Sequence, residues 1–297
     1  MKLKEFYKKY AQQISSQVVL ALKEDKVNRD LTTELLLSGK PGQKTLKASL
    51  VCKEDCILAG LDIFKKVYKQ ISPNVKFKSY YKDGDKVKNR ERVLTVTSSL
   101  RNLLAGERTA LNFLQRMSGI ATLTNNFVSR LKYKGSAILH TRKTTPNFRL
   151  FEIAAVKTGG GDFHRIDLSS AVMIKDNHIE SLGNIQNVMD YLNSRKVRIK
   201  RTKNISAELE IEAKNMNEVK TIIKYGKGIV KTVMLDNFTP KNITEAIKSL
   251  KLNRFKIELS GGINEKNFDR LQHKGIDFYS IGEMTHSYKS IDFSLEF

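Results

Sequence analysis

The chain has 297 residues, 40% hydrophobic and 28% charged, which suffices for a substantial core in one large domain or two. Lys and Arg number 53 against 31 Asp and Glu, a formal net charge of +22 spread along the whole chain; this argues against a nucleic-acid binder with one concentrated basic face, and supplies a field that draws in small polyanions. No apolar run approaches the roughly 18–20 residues of a membrane span, the N-terminus lacks a signal-peptide core, and two cysteines, Cys52 and Cys56, make neither a zinc site nor a disulfide framework, so a cytoplasmic protein is expected.

Apolar positions at Phe6, Tyr10, Ile14, Val18 and Leu22 predict a helix over 3–24. Asp30-Leu31-Thr32-Thr33-Glu34 reads as a polar turn, 46–52 as a strand and 61–71 as a helix. A turn at Tyr81–Asp85 precedes a strand over 92–97. A long helix over about 100–131 shows Leu103, Leu104, Leu111, Phe113 and Leu114 on its apolar face, with Gly119 inside it marking close packing or a kink. This first part mixes strands and helices in an α+β manner. Short apolar strands then recur at 137–139, 207–211, 230–235, 256–259 and 279–281. The later ones alternate with helices over 217–225, 241–250 and 264–273, which predicts a parallel sheet or barrel.

In a βα barrel the strand ends share one face, where active sites lie. Here they carry Thr141-Arg142-Lys143, Asp236-Asn237, Ser260-Gly261-Gly262 and Gly282-Glu283-Met284-Thr285-His286-Ser287. The last two loops are rich in backbone N–H groups and hydroxyls, as phosphate sites are. Arg142, Lys143, His164, Arg165 and Lys175 flank the triple glycine Gly159–Gly161, where close backbone approach or positive φ is expected. Arg forks a carboxylate and Lys is a point charge suited to phosphate, so the cluster fits a small, multiply anionic substrate. Glu208 and Glu210 share the inward face of their strand. There they either pair with the basic residues or, with Asp236, offer an oxygen set for Mg²⁺ bridged to phosphates. Glu212 is expected on the opposite, surface face. His164 acts as an acid or base or simply donates hydrogen bonds; His178 and His286 read as structural, His140 and His273 as scaffold or surface. The basic run Arg195–Lys203 reads as a solvated loop.

These residues closely resemble the quinolinate phosphoribosyltransferase family over nearly the whole chain. The resemblance runs through Ala21–Asp25, Asp30–Thr33, Ala59-Gly60, Leu104–Thr122, Thr141–Pro146, Gly159–Arg165, Ile174–His178, Glu208–Glu210, Leu235–Phe238, Ser260–Gly262 and Thr285–Ser287. The string Ile174-Lys175-Asp176-Asn177-His178 favours this family over its molybdenum-transport-associated relative, which shares Thr-Arg-Lys-Thr. Four places depart from the pattern: Asn147, Asp162-Phe163 and Glu283-Met284, and Asp55-Cys56 in place of a glycine-containing turn.

The resemblance implies an α/β protein with an N-terminal α/β sandwich domain (1–115, joined by the returning residues 288–297) and an open or incomplete C-terminal α/β barrel (116–287) of the type II phosphoribosyltransferase kind. It implies quinolinate and 5-phosphoribosyl 1-pyrophosphate as substrates, and nicotinate mononucleotide, carbon dioxide and pyrophosphate as products. It also implies a homodimer in which Arg108 reaches the partner's site, with no nucleic-acid or membrane partner. Arg142, His164, Arg165 and Lys175, with Thr141, would hold the quinolinate carboxylates. Lys143 and Lys175 would face pyrophosphate. Glu210 and Asp236 would hold Mg²⁺ and the ribose hydroxyls. Ser260, Gly261, Gly262, Gly282, Thr285 and His286 would receive the 5′-phosphate. A relative of the molybdenum-transport type and a basic nucleic-acid binder are the competing readings; the second leaves the strand-end motifs unexplained.

Overall fold

The computed structural model describes residues 1–37, 39–195 and 209–297. Glu208, the start of the strand predicted over 207–211, and all of the basic run after Arg195 lie outside the described residues. The chain forms two compact units, one of residues 1–126, 144–161 and 284–297, the other of residues 127–143 and 162–283.

In the first unit the predicted opening helix is two helices, α1 (Leu3–Lys9) and α2 (Ala11–Glu24), separated at Tyr10, whose φ is −107° and ψ 17°. The apolar row survives the break, with Phe6, Ile14, Val18 and Leu22 buried. The predicted polar turn at 30–34 is instead the start of α3 (Leu31–Leu36). The Asp30 carboxylate accepts the Thr33 N–H at 3.0 Å and caps the helix, while Glu34 supplies a negative charge to its first turn. After α4 (Lys40–Gln43) come β1 (Thr45–Cys52), β2 (Cys56–Ile57), α5 (Leu61–Ile71), β3 (Lys76–Ser79), β4 (Lys86–Val87), β5 (Arg92–Ser99) and α6 (Leu100–Ser129). The last strand of the chain, Phe293–Glu296, pairs with β1, β1 with β5 and β5 with β3, all antiparallel. Strand alternation puts Ala48, Leu50 and Cys52 on a buried face. The Tyr68 hydroxyl, fully buried, donates to the Leu103 carbonyl at 3.0 Å and ties α5 to α6.

The glycines explain two of the sequence signals. Helix α6 runs unbroken through Gly119, so close packing rather than a kink is the reason for it: an added Cβ would stand 2.2 Å from the Lys289 carbonyl oxygen. The triple glycine ends α7 (Arg149–Thr158). Gly160 takes φ +99°, and Cβ atoms on Gly159 and Gly161 would meet the Ala121 carbonyl at 2.3 Å and the Val156 side chain at 2.7 Å.

The second unit holds six parallel strands: β6 (Ala137–Leu139), β7 (Met173–Ile174), β8 (Leu209–Ala213), β9 (Val230–Asp236), β10 (Lys256–Ser260) and β11 (Phe278–Ser280). Their spatial order is β6-β11-β10-β9-β8-β7, which is chain order closed into a ring and cut once. At the cut, among the described residues, β6 and β7 share no ladder, and one parallel bridge, Leu139 to Asp162, stands beside it. The unit is therefore an open α/β barrel. Its connecting helices are α8 (Asp176–Ser181) and α9 (Ile185–Ser194), α10 (Met216–Tyr225), α11 (Pro240–Leu252) and α12 (Phe268–Leu271). Only the last falls far short of its predicted span. Leu209, Ile211 and Ala213 alternate with Glu210 and Glu212, and all five are buried. Apolar residues fill one face of β8 and carboxylates the other.

We expect Gly119→Ala to destabilise the protein by about 1–3 kcal/mol, because the new methyl group has backbone in front of it and overpacking costs that much. Urea unfolding measures this. An unchanged midpoint would mean that the segment around Lys289 yields freely.

Candidate active site

The parallel strands deliver their C-terminal ends to one edge of the second unit's sheet. After β6, the His140 ring is fully buried; its Nε2 accepts the His164 backbone N–H at 3.0 Å and its Nδ1 lies 3.2 Å from the Thr141 carbonyl. The two bonds fit one tautomer, with the proton on Nδ1. His140 is thus scaffold, and it fixes the backbone that carries His164. The His164 Nε2 is 2.9 Å from Glu210 Oε2 and 3.5 Å from Glu258 Oε2. These three groups, with ligand atoms within 4.8 Å of one another, form a cluster able to hold a metal ion.

Glu258 was not among the residues singled out from the sequence. It is 0% exposed, in mid-strand between Ile257 and Leu259. Among the described residues neither of its carboxylate oxygens has a hydrogen-bond partner, nor does Glu210 Oε1. Burial, then the neighbouring Glu210 charge, pushes the Glu258 carboxyl up to about 8 against the opposing pull of His164. Burial alone would lower His164, but the Glu258 and Glu210 carboxylates outweigh it and raise the ring to about 9. Glu210, 2.9 Å from Nε2, thus favours the cationic, donating form of His164.

Glu212 corrects the sequence reading. Residues 210 and 212 share one strand face, so Glu212 points inward with Glu210 and is buried. Burial and then Asp236 raise its carboxyl, while Lys175, whose Nζ is 3.8 Å away, opposes them. Lys175 is the N-cap of α8; its own N–H donates to His178 Nδ1 at 2.9 Å, which makes His178 structural. Arg165 is held below its ordinary value by burial and then by Arg142, so these two guanidiniums lie within electrostatic reach. Arg142 and Lys143 are exposed, and Thr141 Oγ1 accepts the Lys143 N–H at 3.1 Å.

Asp236 and Ser260 are cross-strand neighbours at the ends of β9 and β10. The loop behind them needs glycine: Gly261 and Gly262 take φ +93° and +58°, and a Cβ on Gly261 would stand 2.4 Å from Asn237 Oδ1. Gly282 lies half-buried after β11. Glu283, one of the departures from the family pattern, accepts the Glu265 N–H at 2.8 Å, so its charge is engaged on the neighbouring loop. Three predicted residues, Arg108, Thr285 and His286, belong to the first unit. Thr285 is buried, and His286 Nδ1 is 2.7 Å from Ser287 Oγ. Arg108 is exposed and lines a cleft of about 660 Å³ with Asp25, Asn112, Arg116 and Phe148. A clamp there was also missed from sequence. Arg116 donates to Glu152 Oε1 at 3.1 Å and Thr145 Oγ1 at 2.8 Å, while fully buried Glu152 accepts the Thr145 N–H through its other oxygen. Asn147, where the resembling family has glycine, takes φ +60°, a conformation Asn tolerates.

An open parallel barrel whose strand ends carry arginine, lysine and carboxylate, in a chain with an antiparallel α/β unit, is the architecture of the type II phosphoribosyltransferases. Models of the quinolinate phosphoribosyl transferase N-terminal and C-terminal domains match residues 30–118 and 120–296. The chain belongs to the quinolinate phosphoribosyltransferase family. It is 32% identical over 295 residues to a chloroplastic nicotinate-nucleotide pyrophosphorylase (carboxylating) of Oryza sativa subsp. japonica, covering 95% of this chain and 77% of that one. A probable nicotinate-nucleotide pyrophosphorylase (carboxylating) of Archaeoglobus fulgidus is 36% identical over 258 residues, covering 85% and 94%. The crystal structure of NadC from Streptococcus pyogenes superposes with a TM-score of 0.86 at 37% identity, covering 96% of each chain.

Glu258 and His164 both bind protons more tightly folded than unfolded. Their contribution to stability is complete below the ordinary values of 4.5 and 6.5, and is lost as pH rises through about 8 and about 9. The ligand-free protein should lose stability from about pH 5 to pH 9, and Glu258→Gln should flatten that slope by removing one titration and weakening the other. Equal slopes in the two proteins, by denaturant unfolding across this range, would contradict the assignment.

Proposed function

We propose that the protein transfers the phosphoribosyl group of 5-phosphoribosyl 1-pyrophosphate to quinolinate and releases carbon dioxide, pyrophosphate and nicotinate mononucleotide. The observation that carries this reading is the pair of linked charge groups in the second unit, Arg142 and Arg165 with the His164–Glu210 pair, and Lys175 with Glu212 and Asp236, in a chain of this family.

Quinolinate has two adjacent ring carboxylates. The Arg142 and Arg165 forks and the cationic His164 ring take these, with Thr141 at the strand end. Lys143 and Lys175 face the pyrophosphate. The ring nitrogen attacks the anomeric carbon, and the bond from that carbon to the pyrophosphate oxygen breaks, its electron pair leaving with pyrophosphate. The new pyridinium accepts the electrons released when the 2-carboxylate departs as carbon dioxide, and C2 takes up a proton. The transition state of the first step carries oxocarbenium charge, so positioning and electrostatics supply the catalysis. Ser260, Gly261, Gly262 and Gly282, with Thr285 and His286, receive the 5′-phosphate.

Glu210 and Asp236 suit a hard divalent cation. Asp236 ends β9, Glu210 is the second residue of β8, and Glu210 Oε1 is a buried oxygen without a hydrogen-bond partner among the described residues. They would hold Mg²⁺, which when bound neutralises pyrophosphate charge. We further propose a homodimer whose sites are shared, with Arg108 supplied by the partner subunit, and domains spanning 1–115 with 288–297, and 116–287. A cytoplasmic location belongs to the same proposal, supported by the two-cysteine composition.

Purified protein with quinolinate, 5-phosphoribosyl 1-pyrophosphate and Mg²⁺ should form nicotinate mononucleotide and carbon dioxide, and nicotinate in its place should give no product. Folded protein inactive with both acids would refute the reading. Arg142→Ala should weaken quinolinate binding at least tenfold, since a hydrogen bond to a charged group contributes about 1.5–3 kcal/mol; unchanged affinity removes Arg142 from the carboxylate site. Mixed dimers of Arg108→Ala and Lys143→Ala should regain activity that neither parent has. Verified subunit exchange without recovery would place both residues in one subunit's site.

A further inference from the structure

The departure at Asp55-Cys56 is not absorbed by the proposed reaction. It puts the chain's second cysteine beside its first: Cys52 Sγ and Cys56 Sγ are 3.5 Å apart, and both residues are buried. They sit on two different strands, Cys52 ending β1 and Cys56 opening β2, so no helix holds them apart. The three residues between them form a surface loop tied down on both sides. Lys53 Nζ is 2.6 Å from Glu296, Glu54 is 2.6 Å from Lys289 Nζ, and Asp55 is 2.7 Å from Lys88 Nζ. The Lys53 N–H also donates to the Asp292 carbonyl at 2.9 Å. These anchors keep the two sulfurs facing each other. A disulfide needs them at about 2.05 Å, so the two sulfurs must close further on one another.

We propose that Cys52 and Cys56 form a modification site that takes up a reversible intramolecular disulfide when a small peroxide oxidises it. In the first step one thiolate sulfur attacks a peroxide oxygen, the O–O bond breaks, and a sulfenic acid forms with loss of hydroxide. In the second step the other sulfur displaces the hydroxyl group from the sulfenic sulfur. The S–S bond forms, and two thiols plus hydrogen peroxide have become one disulfide plus two waters. The two electrons pass from sulfur to peroxide, and both thiol protons end in water. A small peroxide suits the burial of the pair. Thiols reverse the bond, as expected of a short loop in a reducing compartment. The product cross-links the loop that anchors the C-terminal strand, since Cys52 is the β1 residue paired with Phe293.

The test uses the full-length native protein. It is treated with graded hydrogen peroxide, quenched by alkylation in denaturant, and read by intact mass and peptide mapping. The expected result is joint loss of both alkylatable thiols, a mass lower by two hydrogens, a 52–56 cross-link in a monomeric band, and recovery of both thiols with dithiothreitol. Cys56→Ser, oxidised in the folded state and then quenched in denaturant that contains dimedone, should carry the adduct of a sulfenic acid on Cys52. Should that variant not fold, the mapping on the unmodified sequence decides alone. Two thiols that remain alkylatable overturn the proposal. So do independent sulfinic or sulfonic products, or a disulfide between chains.

Discussion

The inward face of the barrel depends on cations placed against buried carboxylates. Glu210, Glu212 and Glu258 are all at most 6% exposed. Three carboxylates on one face of a parallel sheet, without counter-charge, would cost more than the surrounding apolar burial gains, because an isolated buried ion carries a penalty of several kcal/mol. His164 meets two of the three and Lys175 approaches the third. Both cations come from segments at strand ends, so the loops that form the site also neutralise the core beneath it. An apolar barrel of the same shape would be at least as stable. The charged interior therefore has its reason in chemistry, and the price appears as carboxyls raised well above their ordinary range.

The fold was legible where the chain uses unambiguous patterns. Five short apolar runs after residue 136 correspond to five of the six barrel strands, because strands buried on both faces read as continuous hydrophobic stretches. Strand β7 has only two residues, too few for any periodicity to register. Helices α7, α8 and α9 went unread for a different cause. α7 lacks a side-chain cap, and α8 lies inside the Lys-Asp-Asn-His string, whose polar residues read as loop. At Asp30 the same chemistry was read with the wrong outcome. An acidic residue before Thr-Thr-Glu favours a turn and a helix N-cap alike, and tertiary context chose the cap.

For the site, sequence reasoning found the cations and missed part of the anionic network. Attention to strand ends located Arg142, Asp236 and Ser260, since parallel topology forces those positions onto one edge, and Lys175 came from the basic cluster that flanks the triple glycine. Glu258 lies in the middle of β10, and only its apolar neighbours Ile257 and Leu259 hint that a charge there must be buried. Glu212 needed a correct count of the two-residue strand period, which groups it with Glu210. Asn147 and Glu283 stood out as departures, and each has a local explanation in a left-handed backbone and a backbone N–H.

Such a network changes what His164 contributes. A histidine near neutral pH is usually weighed as an acid or base. Here Nε2 is committed to the carboxylates behind it, and the charge they hold on the ring makes release of that proton unfavourable. A base must accept a proton at working pH, and a ring raised to about 9 does not. An anionic ligand entering beside it would favour the cation further. The ring then serves the proposed reaction as a fixed positive charge that requires no reorganisation when substrate arrives, the form in which buried electrostatics are most effective. Glu210 accordingly acts on an anionic substrate at second hand, by keeping His164 charged, although a carboxylate facing that substrate directly would repel it.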